Sequence, residues 1–126
     1  MLDRPCNAPD NTLGSIALQA GDGMLCLAPH PDDEVLGCAG LMMLAQRQGL
    51  RVHTIIASAG EQGVDDPVGD AGHRRLAESH AAARTMGLPP PVCWHLADRQ
   101  LRHSLPLIQR IEQALRVHQP RWLLLP

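Results

Sequence analysis

The chain has 126 residues and a formal charge of -2, and arginine carries all of its strong positive charge because lysine is absent. That length bounds the chain to one domain, residues 1–126, large enough for a single core but short for a complete doubly wound enzyme. With no basic patch, no Phe or Tyr, and only Trp94 and Trp122 as large aromatics, neither a nucleic-acid surface nor a base-stacking platform is expected. The apolar runs are far shorter than the ~20 residues that cross a membrane, and no basic start precedes an apolar segment as in a signal peptide. Cys6, Cys26, Cys38 and Cys93 form no C-x-x-C pair, so a reduced, cytoplasmic protein is expected.

Residues 1–14 are polar, with Pro5, Pro9 and Asp10-Asn11, and read as an irregular arm. Residues 15–20 fit either a short strand or a helical turn, and Gly21-Asp22-Gly23 is a turn. Met24 to Ala28 reads as a buried strand, being short, apolar and bounded by turn residues. From Asp33 a helix runs through Leu36, Met43 and Leu44 to Gly49; Asp32 or Asp33 can cap it, and Glu34 suits its first turn. Gly37 and Gly40 each cost about 1 kcal/mol of helix propensity, which close packing of the helix on a sheet would explain. Val52 to Ser58 is a second strand, opening into a loop over residues 59–70 that is rich in Gly and Asp.

A second helix spans His73 to Met86, stopped by Gly87 and the prolines 89–91. Val92 to Leu96 is a third strand. Ser104 caps a third helix with Pro106 in its first turn, Leu105, Ile108, Ile111 and Leu115 on one face, and Gln119-Pro120 at its end. Trp122 to Leu125 is a fourth strand. Strand and helix alternate throughout, which predicts a Rossmann-like α/β fold: a mostly parallel sheet with helices on both faces. The chain stops at Pro126, behind the last strand, where another site element would begin, so the domain is expected to be partial, cut after its fourth or fifth strand.

The chemistry concentrates in His30-Pro31-Asp32-Asp33-Glu34, on the turn between the first strand and the first helix. That is where open α/β sheets place their sites. Nitrogen from His30 and oxygen from Asp33 are donors that zinc takes, and Asp32 between them is placed to hold a water. Taken alone, the same residues serve equally as helix caps and a turn histidine.

The ordered set of motifs is more specific. His30-Pro31-Asp32-Asp33-Glu34 after an apolar strand resembles the opening motif of the PIG-L/LmbE-like zinc-dependent deacetylases. Ser58-Ala59-Gly60-Glu61 is similar to the family's T-x-G-E turn. Arg75, Glu78, Ala82, Met86 and Gly87 fall on its R-x-x-E-x-x-x-A-x-x-x-L-G helix, and Trp94-His95-Leu96-Ala97-Asp98 resembles the strand that ends in an acidic residue. The resemblance runs from about Met24 to the end. It implies a hydrolase that removes acetyl groups from N-acetylglucosamine-type sugars and related amides. It also implies His30 and Asp33 as zinc ligands and Asp32 as the general base that later serves the departing amine as acid. Arg75 would face substrate or fix the site's geometry, with Glu78 and Asp98 orienting neighbours and Glu61 beside them. For Arg75 and Glu78 the plainer reading is an i, i+3 helix pair, and for Glu61 a solvated loop carboxylate.

One family feature does not occur in the sequence. The third zinc ligand comes in that family from a later H-x-D-H motif. His95, His103 and His73 are the substitutes nearest the expected site edge; His53, His80 and His118 fall at a strand start, a helix face and a helix end. Iron, manganese or cobalt would also suit nitrogen and oxygen donors. The second functional expectation is a non-catalytic α/β module that binds metal or sugar, or that self-associates to cover exposed apolar surface. A dinucleotide-binding role is excluded, because no G-x-G-x-x-G follows the first strand and the carboxylates there would repel a pyrophosphate.

Overall fold

The computed structural model describes residues 16–62, 65, 67–98 and 101–126. The expected arm over residues 1–14 and Cys6 lie outside them. β1 (Gly23–Ala28) is followed by α1 (Asp33–Arg47), β2 (Arg51–Ser58), α2 (Ala71–Met86), β3 (Val92–Leu96), α3 (Leu105–His118) and β4 (Trp122–Leu124). The strands form one sheet in the order β3-β2-β1-β4, and every pairing is parallel. This is the α/β architecture that the alternation of elements predicts. Residues 16–19 form neither strand nor helix.

β1 is one of the two interior strands, paired with β2 on one side and β4 on the other. Met24, Leu25, Cys26 and Ala28 are all buried, as a strand covered on both faces requires. Even-numbered residues of β1 and β2 face α1. There Met24, Cys26 and Val52 pack with Cys38, Met42 and Ala45, joined by Leu50, Ala83 and Leu88. Thr54, also on that face, donates its hydroxyl to Met42 Sδ at 3.6 Å. Burial pushes the Cys26 thiol well above the ordinary thiol range, with Cys38 beside it adding to the shift, so it stays protonated and packs as a small hydrophobe. α2 lies beside α1, tied to it by Gln46, whose side-chain amide donates to the Gly87 carbonyl.

Odd-numbered residues of β1 and β2, with the even-numbered Val92 and Trp94 of β3, face α3. Leu27, Ala57 and Trp94 share a cavity with Leu107 and Ile111. The Arg110 guanidinium stacks 4.9 Å from the Trp94 ring centroid, and the His53 and His118 rings lie 4.4 Å apart. The helices therefore cover both faces. Ser104 caps α3 as expected, its hydroxyl accepting from Leu107 N at 3.4 Å.

Three local expectations change. The inward face of α1 is Glu34, Cys38, Met42 and Ala45, so Gly40 points away from the sheet. A Cβ at Gly40 would meet open space, whereas one at Gly37 would lie 2.7 Å from the Pro126 side chain, so of the two only Gly37 permits a close approach, to the segment that follows β4. Leu36 and Leu44 are exposed for the same reason, as is Leu105 on α3. α1 also stops at Arg47, short of Gly49, and α2 begins at Ala71, ahead of His73.

The sheet positions the functional loops. Ala28 pairs with Ile56, and Ser58 N donates to Pro29 O at 3.0 Å, continuing the ladder one step past β1. The turn after β1 and the loop after β2 therefore leave the sheet side by side.

The α3 face carries a pH dependence. Partial burial holds the His53 imidazole below its ordinary value of 6.5, and the facing His118 and the Arg51 guanidinium act in the same direction. The unfolded imidazole takes a proton near 6.5 while the folded one resists it, so this contribution is complete above 6.5 and is lost as pH falls toward the folded value. In urea titrations between roughly pH 7 and pH 5, His53→Gln should show a shallower loss of stability than the wild type.

Candidate active site

His30 stands at the centre of the turn, half-exposed, with all of its polar atoms engaged or directed. Its backbone N–H donates to Asp33 Oδ2 at 3.0 Å, and its Nδ1 lies 3.4 Å from that same oxygen. Its Nε2 lies 2.9 Å from Asp98 Oδ1. In the neutral ring, a proton on Nε2 serves Asp98, which leaves Nδ1, on the side of Asp33, as the nitrogen able to take a cation. A carboxylate behind a histidine in this way fixes both ring orientation and tautomer.

Asp98 is itself held. It is buried just past β3, its Oδ2 accepts from Gln62 N at 3.2 Å, and its own N–H donates to Glu61 Oε1 at 3.0 Å. Glu61 thus ties the loop after β2 to the end of β3.

Asp32 has the unusual backbone. It precedes α1 with φ 105° and ψ -30°, a region that non-glycine residues enter at a cost of about 1–3 kcal/mol. Its carbonyl accepts from Val35 N and Leu36 N, so it caps the helix through its backbone, while its side chain makes no capping bond. The carboxylate turns outward, 58% exposed, to within 3.3 Å of Arg75 Nη2. Its N–H donates to Glu34 Oε2 at 3.0 Å.

Arg75 reaches across from α2. Its Nη2 also donates to Pro31 O, and its Nη1 to Gly60 O, each at 2.9 Å. Gly60 sits at φ 67°, and a Cβ there would collide with the guanidinium, so this turn requires glycine. Gly60 N donates in turn to Ser58 Oγ at 3.0 Å.

The structure therefore brings His30, Asp32, Asp33, Glu61, Arg75 and Asp98 together in two hydrogen-bonded sets that meet at the turn, His30 with Asp33, Asp98 and Glu61, and Asp32 with Arg75. Glu78 is exposed on α2 and lines, with Asp32, Arg75 and Leu36, the groove between the first two helices. The alternative histidines stand elsewhere. His73, 3.6 Å from Asp70 with its side chain in solvent, and the exposed His95 line a neighbouring pocket that also touches Glu61, and His103 lines the α3-side cavity with Leu27. Among the described residues no three His, Cys, Asp or Glu groups come together in a metal-sized cluster. Glu34 and Ser79 are network members that sequence reasoning missed: Ser79 Oγ donates to Glu34 Oε1 at 2.8 Å, and both are buried. The available signal was periodicity, since Ser79 lies one turn from Arg75 on the same face of α2.

The sequence profile of the GlcNAc-PI de-N-acetylase (PIG-L) family matches residues 25–126. The chain belongs to the PIG-L family. It is 27% identical over 130 aligned positions to a diacetylchitobiose deacetylase of Thermococcus kodakarensis, a match that covers 99% of this chain and 45% of that protein. Its fold superposes on the N,N'-diacetylchitobiose deacetylase of Pyrococcus horikoshii, solved with an inhibitor, at a TM-score of 0.74 and 27% identity over 81% of this chain and 39% of that one. A conserved Thermus thermophilus protein, TT1542, gives a TM-score of 0.68 at 31% identity over 79% of this chain and 44% of its own. The 4-carboxy-2-hydroxymuconate hydratase GalB of Pseudomonas putida, at 23% identity and TM-score 0.72 (81% of this chain, 45% of GalB), bears on the fold alone. The chain thus spans less than half the length of these relatives.

Arg75 is the mechanical link among the loops. An ammonium cannot reproduce a planar fork that serves two carbonyls and a carboxylate. Arg75→Lys should therefore lower the unfolding free energy by about 1–3 kcal/mol in urea titration.

Proposed function

We propose that this PIG-L protein hydrolyses the acetamide of an N-acetylglucosamine-type sugar or sugar conjugate, giving acetate and the free amine. We further propose that His30 and Asp33 contribute two donors to a divalent cation, with zinc the first candidate. The donor chemistry fits: a directed imidazole lone pair and a carboxylate oxygen lie on one side of a rigid turn, with a carboxylate fixing the ring from behind. When bound, such an ion polarises a carbonyl and lowers the pKa of water.

The chain's own residues supply the rest of the chemistry. Asp32 takes a proton from the attacking water as the new C–O bond forms at the acetyl carbon. It returns that proton to the nitrogen as the C–N bond breaks, so the amine leaves neutral. Arg75 keeps the Asp32 carboxylate facing outward, and Asp98, held by Glu61, keeps the imidazole of His30 in register with Asp33. Glu78, on the wall of the groove that starts at Asp32, is placed to accept a sugar hydroxyl. The observation that carries this reading is the His30 ring fixed by Asp98, with Nδ1 turned toward Asp33 beside an outward Asp32.

A second reading has its own observation. Among the described residues the cluster offers two donors where catalytic zinc takes about three from protein. That favours binding of metal or sugar without turnover by this chain. Zinc titration and amine release from N,N'-diacetylchitobiose separate the two readings. Turnover that falls at least about 100-fold in Asp32→Ala supports the hydrolase. Turnover that survives this substitution removes Asp32 as the base, and zinc binding without amine release supports the second reading.

A further inference from the structure

We propose that Glu34 is a positioning residue for Asp32, holding it in its left-handed backbone conformation through a buried relay that ends at Ser79. The inference rests on the reading of Asp32 as the base, and it concerns a carboxylate that the sequence suggests only as a helix-start residue.

A carboxylate at 3% exposure is rare unless both oxygens are engaged. Those of Glu34 are: Oε2 accepts from Asp32 N at 3.0 Å and Oε1 from Ser79 Oγ at 2.8 Å. A capping-box glutamate also reaches back to the N-cap N–H, but from the third helical position of a single helix. Glu34 does so from the second position of α1, from within the protein, and while bonded to another helix.

The choice of partner matters for Asp32. An aspartate at an N-cap ordinarily turns its carboxylate onto the free N–H groups of the first helical turn. Asp32 does not; at φ 105° its N–H points inward to Glu34 and its carboxylate points outward to Arg75. If the Glu34 bond is removed, the backbone can return to a negative φ, and the carboxylate can swing back to cap α1 and leave the groove. α2 supports both ends of this arrangement, because Arg75 and Ser79 lie one turn apart: the first holds the carboxylate and the second holds the residue that holds the N–H.

The test uses the full chain with zinc, measuring amine release from N,N'-diacetylchitobiose and hydrogen exchange at the Asp32 amide. Glu34→Ala should lose Asp32 amide protection and lower kcat about 10–100-fold, as loss of a supporting residue does. KM should stay within about threefold, since the lost interaction is not with the ground-state substrate. Glu34→Gln should retain both properties, because its carbonyl accepts from Asp32 N–H and its amide donates to Ser79 Oγ. Where Glu34→Ala fails to fold, Ser79→Ala gives the same comparison in weaker form. The proposal is overturned if Glu34→Ala lowers only thermal stability while kcat per folded molecule is unchanged, or if Glu34→Gln loses protection as fully as Glu34→Ala. Should the wild type show no turnover, the hydrolase reading of this chain fails. Amide exchange then still decides the positioning claim: protection lost in Glu34→Ala and kept in Glu34→Gln supports it, and equal protection in all three proteins overturns it.

Discussion

One guanidinium holds the candidate site together. Arg75 bonds Pro31 O in the turn after β1, Gly60 O in the loop after β2, and the Asp32 carboxylate between them. The parallel pairing of β1 and β2 brings those two loops to the same height, but strand pairing ends at Pro29 and Ser58. Beyond that point no backbone ladder fixes one loop against the other. Arg75 supplies the fixed geometry there, and it reaches the loops because α2 packs beside α1 with its first turns facing the strand ends. A planar, permanently charged fork suits this position, since it serves several acceptors without adjusting its shape.

Two carboxylates extend the same logic in opposite directions. Asp98 fixes the ring of His30 from behind, and Glu34 engages the N–H of Asp32 from below. Each is buried, and each is bonded by further groups: Asp98 by Gln62 N, with Glu61 on its own N–H, and Glu34 by Ser79. Buried charge is costly unless its acceptors are used, so these partners are a condition for placing carboxylates there at all. The result is a turn whose exposed groups, the His30–Asp33 pair and the Asp32 carboxylate, are set by residues on four different segments of the chain.

Much of this was legible in the sequence, for local reasons. The strands are short apolar runs bounded by Gly, Asp or Pro, and the helices begin at recognisable caps such as Ser104, so the α/β alternation could be read directly. His30, Asp32 and Asp33 announced themselves by falling within one turn, and the ordered motifs extended that to Arg75, Asp98 and Glu61. The inward face of α1 could not be read as easily, because Leu36 and Leu44 are as apolar as the buried Met42 and only packing separates them. The bond between His30 and Asp98 joins positions 68 residues apart, and that between Glu34 and Ser79 joins positions 45 apart. No local pattern encodes such a pair. The carbonyl partners of Arg75 were hidden for a different reason: every residue has a carbonyl, and only the loop conformation exposes those of Pro31 and Gly60.

The proposed His30–Asp33 donor pair depends on which imidazole nitrogen is available, and that is open to direct observation. Anomalous diffraction from crystals of this chain soaked with zinc should show the metal against His30 Nδ1 and the Asp33 carboxylate, with His30 Nε2 still bonded to Asp98. A metal against His30 Nε2 with Asp98 displaced, or one held by Asp98 and Glu61 with the His30–Asp33 pair empty, would contradict the proposed site.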